Sequence, residues 1–294
     1  MRLTSKLFFT FLLAISFSVY SQTGGNYMGA LKLNDSSFIS YRVHLDESKG
    51  IISGYSITDI GGKYETKSKI TGTFNKEKGE ISFKEKGIIY TKSKVTQYDF
   101  CFVNFKGKLS NIQTGKAVKG KFKGLYTDGK ECISGELNLV NVAKIERQAV
   151  KLEKKVKKTK LVSQAKKDKV NLVKSLDTLA LNVLREDQNM SMFTKSRTVN
   201  LNIYDSGKED GDKITITVNK KVLLSDYTVT KKVKILSLNI DSDETDIEIK
   251  AISEGTVVPN TAYIEIKDEE NDLKVLSTLT KGKSTKITIL RAEK

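Results

Sequence analysis

Eight consecutive residues, Asp205-Ser206-Gly207-Lys208-Glu209-Asp210-Gly211-Asp212, concentrate four carboxylates and two glycines. Asp205, Glu209, Asp210 and Asp212 offer the hard oxygens that calcium prefers, while Gly207 and Gly211 let the backbone turn and present carbonyls. Ca2+ is therefore the one cofactor these residues suggest. The spacing is not that of an EF-hand, which places ligands at alternate positions before its glycine and a glutamate later. Asp and Gly also make good turns, so the same octet suits a plain loop.

A second chemistry is electrostatic. Lys154, Lys155, Lys157 and Lys158 fall in a run that also holds Lys151 and Lys160, a candidate surface for polyanions such as acidic polysaccharide or lipid phosphate. No aromatic residue interleaves these lysines, so a base-stacking platform is missing and specific nucleic-acid recognition is not expected. Lysine outnumbers arginine throughout, which suits diffuse attraction better than bidentate phosphate recognition. The same run also reads as a solvated spacer.

Catalytic constellations are harder to assemble. His44 is the only imidazole and alternates onto the polar face of its segment. No Ser/His/Asp or Cys/His set follows from the residues. Gly115, Gly120 and Lys121 match a phosphate loop as far as its lysine, but Phe122 stands where Ser or Thr is required. A carboxylate pair for hydrolysis becomes visible only in three dimensions. No catalytic residue is assigned.

The elements that must position these groups begin with the N-terminus. Arg2 and Lys6 precede an apolar run from Leu7 to Phe17, and small residues follow at Ser18 and Ser21. Residues 1–21 read as a secretory signal peptide, too short in its apolar core to span a bilayer, and no later stretch is long enough to do so. The expected location is the periplasm or the outside of the cell, with association to an outer membrane as one setting. In that oxidising compartment Cys101 and Cys132, the only cysteines, are expected to form a disulfide.

Charge then divides the chain of net +16 into parts: residues 22–140 carry +7, 141–197 carry +9, and 198–294 carry −2, with +2 from the signal peptide. The first part alternates apolar and polar residues, as in Ile39, Tyr41, Val43 and Leu45. It predicts about nine antiparallel strands in a barrel or sandwich of lipocalin-like shape, whose interior could hold a small apolar ligand. Residues 141–197 predict a basic helical linker: Val142, Ile145, Ala149, Leu152 and Val156 mark one stripe, and Leu172 to Leu184 a second amphipathic run. Residues 198–294 return to period two, with seven or eight strands at the rhythm of an immunoglobulin-like β-sandwich.

Topology decides what the acidic loop meets. A hairpin at Asn219-Lys220 would bring residues 205–212 to the same end as 253–260, where Glu254 and the carbonyls around Pro259 could complete a cation site. One strand over 213–225 would instead send the loop to the turns at 241–246 and 268–272. The hairpin is preferred because the alternative strand is long.

The stretch from Leu201 to Ile289 resembles a C-terminal module found in many exported proteins of Bacteroidota-type bacteria. The resemblance lies in Ile203-Tyr204-Asp205-x-Gly207-x-x-Asp210-Gly211-Asp212-x-Ile214 and Pro259-Asn260-Thr261-Ala262, with Leu184-Arg185 and Asn189 similar to its lead-in. It implies a non-catalytic β-sandwich without an assigned activity, preceded by a barrel-like domain with two cysteines. Val258 and Ser253 depart from the usual proline and asparagine. The expectation is an exported, non-catalytic binding or envelope-organising protein that engages acidic polymers or other envelope components. The rivals are a hydrolase with a carboxylate pair in the first domain and a carrier of an apolar ligand in the barrel.

Overall fold

In the computed structural model, residues 23–94, 99–159, 163–164, 167, 170–172, 175–176 and 181–291 are described. The signal-peptide reading of residues 1–21 and most of the second amphipathic run lie outside them.

Alternation in the first part produces eight strands: β1 (Thr23–Leu33), β2 (Phe38–Ser48), β3 (Ile51–Thr58), β4 (Thr66–Asn75), β5 (Glu80–Thr91), β6 (Phe102–Lys108), β7 (Ala117–Leu125) and β8 (Glu131–Asn141). Each pairs antiparallel with the next, and β8 returns to β1, closing a barrel. Tyr41, Val43 and Leu45 are buried, while Arg42 and His44 between them are partly exposed. An eight-stranded barrel is just wide enough for its own side chains. Tyr27, Leu31, Phe83, Phe105, Phe122 and Leu137 belong to the cluster that fills it.

The expected count of nine is corrected to eight. The segments expected at 80–84 and 88–93 form the single strand β5, and the register against β4 shifts on either side of Ser68. Gly87 has φ 85° there and sits in the resulting bulge within the strand. Cys101 and Cys132 are joined in a disulfide that ties the start of β6 to β8 across 31 residues. Closing such a loop stabilises the fold by about 3 to 4 kcal/mol in the chain-entropy picture.

Helix α1 (Val142–Lys158) leaves the barrel directly from β8, and Asn141 caps it by accepting a bond from Ala143 N at 3.1 Å. Of its apolar stripe only Ala149 is buried, and Leu152 remains half exposed. Lys154, Lys155, Lys157 and Lys158 are all exposed on it.

Ten further strands follow: β9 (Val183–Arg185), β10 (Asn189–Thr194), β11 (Thr198–Tyr204), β12 (Asp212–Val218), β13 (Lys221–Thr228), β14 (Lys234–Asn239), β15 (Glu244–Glu254), β16 (Asn260–Lys267), β17 (Asp272–Leu279) and β18 (Ser284–Arg291). Val183 and Leu184, expected to finish a helix, are extended in β9 instead. There they pair in parallel with β17, and Leu184 is fully buried. The helical period of a short apolar run is overridden by its place in the sheet.

One sheet runs β14-β11-β16-β17-β9; β13-β12-β15-β18-β10 continue the sheet of the barrel through β5. Leu201, Ile203, Ile214, Ile216, Ile249, Ile264, Val275 and Ile289, contributed by both sheets, share one core with Tyr90 of β5. Asn219 and Lys220 have φ 47° and 68° and join β12 to β13 as the preferred hairpin.

Candidate functional site

The hairpin has the expected consequence: the 205–212 loop, between β11 and β12, meets the segment joining β15 to β16. Asp205 is buried and folds its own loop, accepting a bond from Gly207 N at 2.7 Å. Asp210 crosses to the second segment. Its carbonyl accepts from Thr256 N at 3.0 Å and its Oδ2 from Val257 N at 3.1 Å. Asp212, 2% exposed, accepts from Thr261 N at 2.7 Å through Oδ2. Glu209 turns the other way and accepts from Lys231 N, so it leaves this junction. Of the four carboxylates expected together, Asp210 and Asp212 meet the second segment, and Asp205 lies near enough to repel Asp212.

The residue that sequence reasoning missed is Asn260. It is fully buried, and its Nδ2 donates to Lys213 O at 3.1 Å and Ser253 O at 2.5 Å, bracing the two segments. The Pro259-Asn260-Thr261-Ala262 motif carried the signal, but it entered only as a resemblance. Burial pushes the Asp212 carboxyl up to about 6, with the negative charges of Asp210 and Asp205 adding to the effect and the bonds from Thr261 opposing it. Among the described residues no three His, Cys, Asp or Glu side chains converge as a metal-binding group.

A second candidate lies on the outer face of the barrel. Core residues Phe83, Phe105 and Phe122 alternate with outward residues, and the ladder aligns the latter in rows. Thr71, Lys84, Asn104, Lys123 and Ser134 form one row across β4 to β8; Thr73, Ser82, Lys106, Lys121 and Glu136 form the next. In the row beyond, Lys108 faces Lys119. Much of this face lines a cavity of about 950 Å3, open to solvent, to which Lys84, Lys106, Lys121 and Lys123 contribute. Lys123 pairs with Glu131 at 3.1 Å and Lys108 with Glu80 at 2.9 Å. Lys84, Lys106, Lys119 and Lys121 make no ion pair among the described residues.

Three further titratable groups of the barrel are engaged structurally. Glu85, buried inside, accepts bonds from Tyr41 Oη at 3.0 Å, Ser56 Oγ at 2.6 Å and Val103 N at 2.7 Å. Burial raises its carboxyl above the ordinary value despite those bonds. Glu65 accepts from Tyr90 Oη at 2.9 Å and pairs with Lys92 at 3.0 Å. His44, on the outer face, stacks on Tyr55 and lies 3.1 Å from Asp46. Neither buried glutamate lines the 950 Å3 cavity. No protein-family model, no curated protein and no solved structure matches this chain.

Proposed function

We propose that this chain is an exported, non-catalytic binding protein that holds an acidic polymer, such as an acidic polysaccharide of the cell envelope, on the lysine rows of its barrel. In this reading the barrel is of lipocalin-like shape, α1 begins a basic linker, and the second β part is an immunoglobulin-like module of the kind it resembles in Bacteroidota-type bacteria. The observation that carries the reading is the direct facing of Lys106 by Lys121 and of Lys108 by Lys119. Like charges opposite each other in a ladder destabilise the sheet; Glu80 offsets Lys108 and Glu136 lies beside Lys121, and an anionic chain across the rows would relieve the repulsion that is left. The cavity is open to solvent, which suits a chain better than a small enclosed ligand. Lysine ammonium groups on flexible stems follow a repeating charge without demanding one bidentate geometry.

The test is retention of the purified protein on immobilised polygalacturonate over a salt series. Replacing Lys84, Lys106, Lys121 and Lys123 by Gln is expected to weaken binding by about tenfold or more and to flatten its salt dependence. Replacing Lys154, Lys155, Lys157 and Lys158 by Gln is expected to leave most of it. The reverse ranking would move the site to α1, and wild-type retention that ignores salt would overturn the reading.

A further inference from the structure

We infer that the junction of the 205–212 and 253–260 segments is a divalent-cation site of the calcium type, formed around Asp210 Oδ1, Asp212 Oδ1 and Asn260 Oδ1. These three oxygens are buried and have no hydrogen-bond partner among the described residues. They come from segments about fifty residues apart in sequence that the fold stitches together through Asp210, Asp212 and Asn260 themselves.

The orientation of each group is fixed by its other atom. Asp210 Oδ2 is held by Val257 N, and Asp212 Oδ2 by Thr261 N. The Asn260 amide cannot be turned over: its Nδ2 serves two carbonyls, Lys213 O and Ser253 O, and exchanging the atoms would set oxygen against oxygen. What remains is three buried acceptor oxygens at one junction with no donor to any of them among the described residues, which calls for a cation or another donor. Two carboxylates would neutralise a divalent ion, and an all-oxygen set with an amide carbonyl matches calcium better than the nitrogen and sulfur sets favoured by zinc or copper. Only two of the three side chains are carboxylates, which accounts for the absence of a group of three acidic or histidine ligands here.

Gly255 shows how closely the second segment is drawn over the site. Its φ is 59°, and a Cβ there would lie 2.6 Å from Asp210 O and 2.9 Å from Asp210 Oδ1. A side chain would therefore occupy the space beside a proposed ligand. Asp205, whose charge reaches Asp212, adds negative potential from the side of the loop. This inference is independent of polymer binding, which is placed on the barrel.

The rival account is a proton or water satisfying the same oxygens, and the test separates them. Purified protein is stripped with chelator at pH 7.5 and melted with CaCl2, with MgCl2 as control, while calorimetry measures calcium binding directly. With calcium about a hundredfold above its Kd, the transition of the second β part is expected to rise by about 5 °C or more. Asp210→Asn with Asp212→Asn keeps size and acceptor oxygens, and is expected to abolish the calcium heat and at least most of the shift. Circular dichroism and unchanged polygalacturonate retention check that this variant is folded. Absence of both calcium heat and calcium shift in the wild type would overturn the inference, as would an undiminished response in the double variant.

Discussion

Asp212 is where burial and chemistry are most tightly joined. Its carboxyl is raised from the ordinary 3.8 to about 6, because burial disfavours the charged form more than Thr261 restores it. The folded state thus binds the proton more tightly than the unfolded state. The stability contributed by this group is fully present below pH 3.8 and is lost as pH rises through about 6. In chelator, the stability difference between wild type and Asp212→Asn is expected to move against the wild type between pH 4.5 and pH 7, read by urea unfolding at each pH. A flat difference across that range would contradict the assignment. The candidate ligands Asp210 and Asp212 were legible in the sequence because acidic turns announce themselves by composition. Asn260 was not, because an asparagine after proline has no chemistry of its own until its amide is seen spanning two strands.

At the scale of elements, strand alternation made most of the barrel legible, and its exceptions are local. Gly87 sits in a bulge, since a positive φ can be absorbed inside a strand as well as between two. Val183 and Leu184 read as the tail of a helix because short apolar runs fit either period, whereas the pairing that makes them a strand comes from β17, about ninety residues later. The lysine rows were likewise invisible: each lysine alternates innocently along its own strand, and only the register places Lys106 against Lys121. Gly107 and Gly120 are partners in that same hairpin, and a Cβ on Gly120 would lie 2.2 Å from Lys106 O and 2.5 Å from Gly107 Cα. Gly120→Ala should therefore cost about 1 to 3 kcal/mol as the strands are forced apart, measured by denaturant unfolding. A neutral outcome would mean that the β6–β7 pair yields without resistance.

Across the whole molecule, the barrel and the second β part are joined through the backbone ladder. Ser191 and Met192 of β10 pair with Thr91 and Tyr90 of β5, and Tyr90 enters the second core. Lys92 follows directly after that strand, its side chain 5% exposed, pairing with Glu65 and donating to Val183 O at 2.9 Å. Lys92→Ala would leave the Glu65 carboxylate buried without its cation. Such a change costs about 3 to 5 kcal/mol and should split a shared melting transition into two, visible by calorimetry. A single unshifted transition would show that this pair does not couple the parts. This seam is not legible in composition, which changes at the helix while the structural joint lies in strands on either side of it. The position of β10 also has a mechanical consequence. It lies between β5 and β18 and runs parallel to β18 over six register positions, from Asn189↔Lys286 to Thr194↔Arg291. Tension entering at the start of β10 and leaving at the end of β18 pulls those strands lengthwise past one another. The ladder then bears the load at all six positions together, as a lap joint does, instead of peeling open from one end.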